Sequence, residues 1–318
     1  METIITKDID KVCLDLMRNE AAVIPTETVY GLAAKAYNPD AVLKIYEIKE
    51  RPKFNPLIVH IYDEKMLEEI AEEIPDFVLK LISKFCPGPL TFVLKKKKII
   101  PDIVTAGLDT VAVRFPAHEM TRELLKSLKC PLCAPSANRS GKVSPTSAEE
   151  AFKELNGRVH FILDGGKCEI GIESTVIDCS GKGITLLRPG FISKEQIEKA
   201  LRRKVKERDK EEIINSPGQM KNHYAPETPL HIIESQDISF SAFNKSVGKL
   251  DFEKYSSLEE IAKNLFKDIR ELDEKGYSYI VAKKVADEGL GVAINDRLEK
   301  ASSGKLSVHK ERIKLLPK

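Results

Sequence analysis

The sequence predicts an α/β protein in two units, a mixed-sheet domain followed by a smaller parallel α/β domain. Three features predict it. Apolar runs of strand length alternate with helical spacing through residue 200, a charged stretch containing Pro and Gly at 204–228 lacks apolar periodicity, and a strand, helix, strand, helix order follows. The boundaries read from these features are a domain over 1–203, a linker over 204–228 and a second domain over 229–318.

Ile9, Val12, Cys13, Leu16 and Met17 recur at helical spacing, and the apolar run AAVIP at 21–25 follows as a strand. Residues 39–50 read as helix, LIVHI at 57–61 as strand, and 63–84 as one or two helices broken at Pro75, whose ring removes a backbone donor. Strand patterns recur at 90–95, 110–115, 131–135, 160–164, 174–179 and 184–188, with helices at 117–128 and 147–155 between some of them. Ser193 and Gln196 have capping-box spacing before a short helix that ends near Leu201. In the second unit PLHII reads as a strand, and Ser257 with Glu260 caps a helix whose apolar face runs Leu258, Ile261, Ala262, Leu265, Phe266, Ile269 and Leu272. YSYIVAKK returns as a strand and GLGVAINDRLEKA as a second helix, the pattern of a small parallel sheet.

With 51 basic and 49 acidic residues the net charge is +2, so any nucleic-acid surface has to be local. Neither a basic start with an apolar leader nor a membrane-length apolar run occurs, which predicts a cytoplasmic chain with no membrane segment. The six cysteines include one C-x-x-C pair, Cys130 and Cys133, read on a strand that sends the two thiols to opposite faces. They are expected to be small apolar strand residues rather than metal ligands. The lysines at 95–98 read as a solvated hairpin tip.

Familiar nucleotide loops are missing: there is no G-x-x-x-x-G-K-[ST], and Gly289-Leu290-Gly291 lacks the third glycine of a dinucleotide fingerprint. No G-x-S-x-G or H-E-x-x-H supports a serine hydrolase or zinc protease. Polar residues instead cluster after several strands. Thr26, Glu27, Thr28 and Tyr30 follow one, Arg114 and Pro116 a second, Ser136 to Gly141 a third, and Arg188 to Gly190 a fourth. Ligand crevices of open α/β sheets form at such strand ends. Lys49, Arg51, Arg114 and Arg188 supply cations, and guanidinium forks match phosphate or carboxylate oxygens; Ser136, Asn138, Ser144 and Thr110 add neutral donors. Pro52 and Pro56 stiffen the connector that carries Lys49, Arg51, Asn55 and His60. A nucleoside triphosphate with a carboxylate-bearing co-substrate would use all of these groups. Taken singly, each has a plainer reading, since strand-end arginines pair with surface acids and Ser-Ala-Asn makes ordinary turns.

PTETVYGL at 25–32, KERPKFNPLIVH at 49–60, PGPLTFVL at 87–94, VAVRFP at 111–116, APSANRSGKVSPT at 134–146, ESTVID at 173–178 and LRPG at 187–190 resemble the ordered motifs of the YrdC-like family. Its hallmark is a Lys-x-Arg and a Ser-x-Asn pair. SPGQMKNHYAP in the linker and GLGVAINDRL beyond it are similar to the long members with an additional C-terminal domain, the L-threonylcarbamoyladenylate synthases of tRNA modification. The resemblance implies a YrdC-like twisted mixed sheet with a concave basic cleft, plus a smaller Rossmann-like α/β domain. It also implies a nucleotidyltransferase that joins L-threonine, bicarbonate and ATP into threonylcarbamoyl-AMP and pyrophosphate, with Mg2+ accompanying ATP. A downstream threonylcarbamoyl transferase complex would pass the group to the adenosine beside the tRNA anticodon, and a weak tRNA contact by this chain belongs to the same expectation.

Carried over by position, Thr28, His60, Arg114, Ala134 and Ser174 are expected to hold threonine. Arg51, Asn55, Thr110, Ser136, Ser144, Arg188 and Tyr224 are expected to hold ATP, and Lys49, Arg51, Ser136 and Asn138 form the catalytic set around the phosphates. Tyr224 is expected to fold back from the linker as a lid, so that Tyr224→Ala leaves the fold intact and impairs turnover. No dedicated metal cage is expected, because a triphosphate supplies most of its ion's ligands. Two positions depart from the family pattern: Glu50, where many relatives carry glycine and a surface orientation is expected here, and Phe54, where a smaller or polar residue is usual. Two other readings stay open. An RNA-binding module would use the basic concavity, against the near-neutral charge and the lack of an aromatic stacking motif; a carbamoylating enzyme of hydrogenase maturation would bring zinc-finger cysteines and a further catalytic domain.

Overall fold

The computed structural model describes residues 2–208, 224–234, 238–309 and 312–317. The chain begins with β1 (Ile4–Thr6) and α1 (Ile9–Met17), whose first turn is capped by the Asp8 carboxylate accepting from the Lys11 amide. A hairpin of β2 (Ala22–Ile24) and β3 (Gly31–Lys35) follows, then α2 (Pro39–Lys49) and β4 (Ile58–His60). Two helices, α3 (Glu64–Ile70) and α4 (Asp76–Phe85), flank the break at Pro75. β5 (Leu90–Lys95), α5 (Asp102–Thr105), β6 (Thr110–Arg114), α6 (Glu119–Leu128), β7 (Leu132–Cys133), α7 (Ala148–Leu155), β8 (Phe161–Leu163), β9 (Thr175–Asp178), β10 (Thr185–Arg188), α8 (Lys194–Leu201) and β11 (Lys206–Glu207) complete the first unit. Ser193 and Gln196 make the reciprocal capping box at the start of α8. These strands form an 11-stranded mixed sheet in the order β1-β8-β2-β3-β7-β4-β6-β5-β9-β10-β11.

The second unit comprises β12 (Leu230–Ile233), β13 (Val247–Leu250), α9 (Leu258–Asp273), β14 (Tyr279–Lys283), α10 (Leu290–Ala301), β15 (Gly304–His309) and β16 (Arg312–Pro317). Its sheet runs β13-β14-β12-β15-β16, parallel except for the last strand. Within the stretch expected as linker, Lys206–Glu207 pair in parallel with β10, residues 209–223 lie outside the described residues, and Tyr224 packs into the interior.

Apolar packing joins the units. Val29, Val143, Ile170 and Ile172 of the first share one core with Tyr224 and with Phe266 and Ile269 on α9. The approach is close enough that a Cβ on Gly171, which sits at φ +82, would meet the Lys263 backbone at 2.5 Å. No helix among the described residues is long and apolar enough to cross a membrane.

Candidate active site

Parallel pairing of β4 with β6 sets His60 opposite Arg114 and Ile58 opposite Ala112. Side chains two apart share a face, so Thr110, Ala112 and Arg114 line up beside Ile58 and His60. β5 adds Thr91 opposite Arg114, and β9 adds Val176 opposite Thr91. Ile58, Val93, Ala112 and Val176 pack into a small apolar floor. A cleft lies over it, lined by Arg51, His60, Arg114, Ala134, Ser136, Glu173, Ser174, Arg188 and Tyr224 among others. The strand-end convergence expected from sequence is therefore present for these positions.

At one end of the cleft the β2–β3 loop is folded on the Thr26 hydroxyl, which accepts from the amides of Thr28 and Val29 at 3.2 Å each. Gly31 carries this loop under β7; a Cβ there would stand 3.2 Å from the Ala134 Cβ. Arg114 donates through Nη1 to Thr28 Oγ1 at 2.9 Å and through Nη2 to Glu27 Oε1 at 2.6 Å. The other Glu27 oxygen accepts from the Ala117 amide at 3.0 Å. His60 lies beside them, 3% exposed, with Nδ1 lacking a partner among the described residues. Burial, reinforced by the charge on Arg114, pushes its pKa from 6.5 down to about 3, so the imidazole is neutral at physiological pH. Ser174 Oγ sits 2.7 Å from Thr91 Oγ1.

Arg51 and Arg188 are both buried and both anchored to backbone oxygens. Arg51 donates to the carbonyls of Asn55 and Pro56 at 3.3 and 3.1 Å, and burial lowers its pKa only to about 10, leaving it a cation. Arg188 reaches the Ser174 carbonyl through Nε and Nη2 at 3.0 and 2.9 Å, and the Ser174 hydroxyl at 3.1 Å. Asn55 is fully buried, and neither its Nδ2 nor its Oδ1 has a partner among the described residues. Among the described lining residues three guanidinium groups meet one carboxylate, Glu173, and a second carboxylate, Glu27, is bonded to Arg114 beside the cleft. Thr110 stands apart from the lining residues: it begins β6, on the face of Arg114 but about 13 Å along the strand from it.

Lys49 and Asn138 differ from expectation. The Lys49 ammonium donates to the backbone carbonyls of Ser136 and Asn138, and the Asn138 amide donates to the carbonyls of Arg139 and Lys142 at 2.7 and 2.8 Å. Both side chains brace the loop that carries Ser136 and neither lines the cleft. Glu50 explains why Lys49 and Arg51 diverge. It caps α2 in the left-handed region at φ 53, the geometry glycine adopts without cost, and its carboxylate turns outward to pair with Arg158 at 2.8 Å. Phe54 is likewise directed to solvent, 61% exposed.

Tyr224 is fully buried, its ring stacked on Phe266 at 5.1 Å between centroids. The ring is a piece of the interdomain core as well as a wall of the cleft, so alanine here is expected to cost stability as well as turnover. Sequence reasoning did not single out Glu173 or Arg297. Ser144 donates to Glu173 Oε1 at 2.6 Å, and Arg297 from α10 donates to Glu173 Oε2 at 2.8 Å. Both lie within motifs already recognised, ESTVID and GLGVAINDRL, but their pairing is visible only in three dimensions.

Residues 15–190 match a family model described as telomere recombination, that of the Sua5, YciO and YrdC proteins. Residues 192–303 match the model of the threonylcarbamoyl-AMP synthase C-terminal domain. The threonylcarbamoyl-AMP synthase of Pyrococcus abyssi is 40% identical over 311 residues, spanning 90% of this chain and 92% of that protein. That of Bacillus subtilis is 42% identical over 317 residues, spanning 92% of each. A crystal structure of P. abyssi Sua5 complexed with L-threonine superposes with a TM-score of 0.87 at 39% identity, covering 94% of this chain and 98% of that one.

Proposed function

The chain belongs to the Sua5/YrdC family of threonylcarbamoyl-AMP synthases, and from that premise we propose how its cleft joins L-threonine, bicarbonate and ATP and releases pyrophosphate. The product feeds threonylcarbamoyladenosine formation in tRNA. The convergence of the Arg51, Arg114 and Arg188 guanidinium groups on one cleft carries the proposal, since the substrates bring a triphosphate and an amino-acid carboxylate to one place.

Threonine sits at the Arg114 end. The guanidinium, oriented by Glu27 and Thr28, has N–H groups left over for the amino-acid carboxylate, and Ala134 and Ser174 border the same space. A neutral His60 adds no charge beside the threonine ammonium. ATP extends from Arg188, Ser136 and Ser144 past Arg51 toward Asn55 and Thr110, along the face shared by β4 and β6. The orphaned amide of Asn55 fits a ligand with both donors and acceptors, as a nucleoside has. Lys49 and Asn138 act through the Ser136 loop that they brace.

After the threonine ammonium has lost a proton to solvent, its amine adds to the bicarbonate carbon with loss of water, giving a carbamate. A carbamate oxygen then attacks the α-phosphorus in line as the bond to pyrophosphate breaks. No covalent enzyme nucleophile is required; guanidinium groups fixed by backbone oxygens stabilise the developing charge without reorganising. Among the described residues no cluster of three His, Cys, Asp or Glu side chains could hold an ion, so the donor set fits Mg2+ only as a companion of the triphosphate. Bound with ATP, Mg2+ would supply charge compensation beside Arg51 and Arg188. Tyr224 closes the wall and keeps water from a hydrolysable mixed anhydride. The acceptor of the product is a threonylcarbamoyl transferase complex, and the reaction belongs in the cytoplasm.

The test is pyrophosphate release by the purified chain with ATP and Mg2+, omitting threonine and bicarbonate in turn, with mass detection of the adduct. A requirement for both substrates, together with the adduct mass, is expected. A folded protein that binds ATP and forms no adduct would overturn the reading.

A further inference from the structure

Arg297 lies on α10 of the second unit, yet its guanidinium is completely buried against the first. Nε donates to Glu173 Oε2 at 2.8 Å, and Nη1 donates to the Pro189 carbonyl at 3.0 Å and to its neighbour Asp296 at 2.6 Å. The Tyr224 ring lies 5.6 Å from Cζ. One side chain therefore holds the residue before Ser174 and the residue after Arg188, and reaches Ser144 through the second oxygen of Glu173. The two loops it joins are pressed together, for a Cβ on Gly190 would meet the Thr175 amide at 2.3 Å.

This geometry does more than glue two domains. A buried carboxylate near phosphate-binding guanidinium groups would compete with an anionic substrate unless its charge were met, and Arg297, which does not line the cleft, meets it through Oε2. The Ser144 hydroxyl is held by donating to Glu173 Oε1, which fixes its rotamer. The planar fork also fixes the Pro189 carbonyl and so the direction from which Arg188 enters the cleft.

We propose that Arg297 is a positioning residue for the synthase reaction: docking of the C-terminal unit sets the nucleotide half of the cleft through Glu173–Ser144 and Pro189–Arg188, without touching a substrate. The inference rests on the synthase reading. It gives the C-terminal unit a specific task, and it reaches the threonine end only indirectly: Ser174 follows Glu173 and the amides of Ile170 and Gly171 donate to the Glu27 and Thr28 carbonyls, whereas His60 and Arg114 stand on β4 and β6.

The test compares the full-length chain with Arg297→Met, Arg297→Lys, Glu173→Gln and the double variant Arg297→Met with Glu173→Gln, varying ATP and threonine in turn. Adduct formation by the unaltered chain checks the underlying activity by itself, and the inference is read only from ratios to it. Arg297→Met is expected to raise the KM for ATP about tenfold or more while raising that for threonine by a clearly smaller factor, since misplacing binding groups by a fraction of an ångström has effects of this order and the threonine end is reached only indirectly. Arg297→Lys should fall between, and the double variant should recover part of the loss because the carboxylate that lost its Arg297 counter-charge is gone. Equal losses for both substrates, or unchanged kinetics, would overturn the proposal. Should Arg297→Met fail to fold, Arg297→Lys and Glu173→Gln carry the same comparison, with an ATP-selective loss supporting the role and a non-selective loss refuting it.

Discussion

Glu27 and Arg114 form a buried ion pair, Oε1 to Nη2 at 2.6 Å, with both side chains almost wholly removed from solvent. The two charges arrive from different elements, the β2–β3 loop and the end of β6, and the second Glu27 oxygen is occupied by the Ala117 amide. Glu27 thus fixes the plane of the guanidinium proposed to fork the threonine carboxylate. Glu27→Ala leaves Arg114 buried without its counter-charge, and the loss of one partner from such a pair costs about 3–5 kcal/mol. Urea unfolding should register that loss, and the KM for threonine should rise well beyond that for ATP. A variant as stable as the parent would mean that Arg114 finds solvent or another anion.

His60 makes stability depend on pH in a direction its burial dictates. Its pKa is about 3 in the folded chain and 6.5 when exposed, so between these values the unfolded chain binds a proton that the native chain does not. The native state is therefore favoured above pH 6.5 and loses that advantage as pH falls toward 3. Unfolding free energies measured across this interval should decline toward acid, less steeply for His60→Gln. Identical slopes for the two proteins would show that the imidazole protonates in place.

Tyr224 separates stability from closure. Removing a large buried ring costs about 3–5 kcal/mol through lost contacts and the cavity left behind, so Tyr224→Ala is expected to lower the unfolding midpoint along with turnover. Tyr224→Phe keeps the stack on Phe266 and the contact with Arg297 while deleting the hydroxyl. If the ring alone closes the cleft, the phenylalanine variant should retain near-parental turnover. A large fall in its turnover with no change in midpoint would assign the work to the hydroxyl.

Periodicity and motif order made much of this molecule legible in its sequence, and the exceptions have physical causes. The short continuous apolar runs in LIVHI and VAVRFP mark β4 and β6, buried on both faces, and the 3.6 spacing from Leu258 to Leu272 marks the buried face of α9. β3 escapes notice because Gly31, Ala33 and Ala34 have little strand preference; pairing with β2 on one side and β7 on the other imposes the conformation. β13 contains Gly248 and a half-buried lysine, which weaken its pattern in the same way. In the site, residue types that bind anions could be nominated from their positions after strands, whereas the direction of a side chain could not. Lys49 and Arg51 are near neighbours in sequence, but the left-handed Glu50 between them turns one toward the Ser136 loop and the other toward the cleft. Counter-charges are hidden for a different reason, because Glu173 and Arg297 are 124 residues apart and meet only when the two units dock.

Asn55 offers a direct separation of binding from stability. Its backbone carbonyl is pinned by the Arg51 guanidinium at 3.3 Å and the Tyr46 hydroxyl at 3.2 Å, so the side chain is held in place although its own amide has no partner among the described residues. A buried polar group without a hydrogen bond costs about 1–3 kcal/mol, which offsets the packing lost on truncation. Asn55→Ala is therefore expected to melt at or above the parental temperature in the absence of nucleotide. ATP should then raise the midpoint of the parent more than that of the variant, because a ligand stabilises the native state in proportion to the logarithm of its affinity. Equal ATP-induced shifts would remove Asn55 from the nucleotide site. A variant that melts far below the parent without ATP would show instead that the amide is satisfied in the unliganded protein.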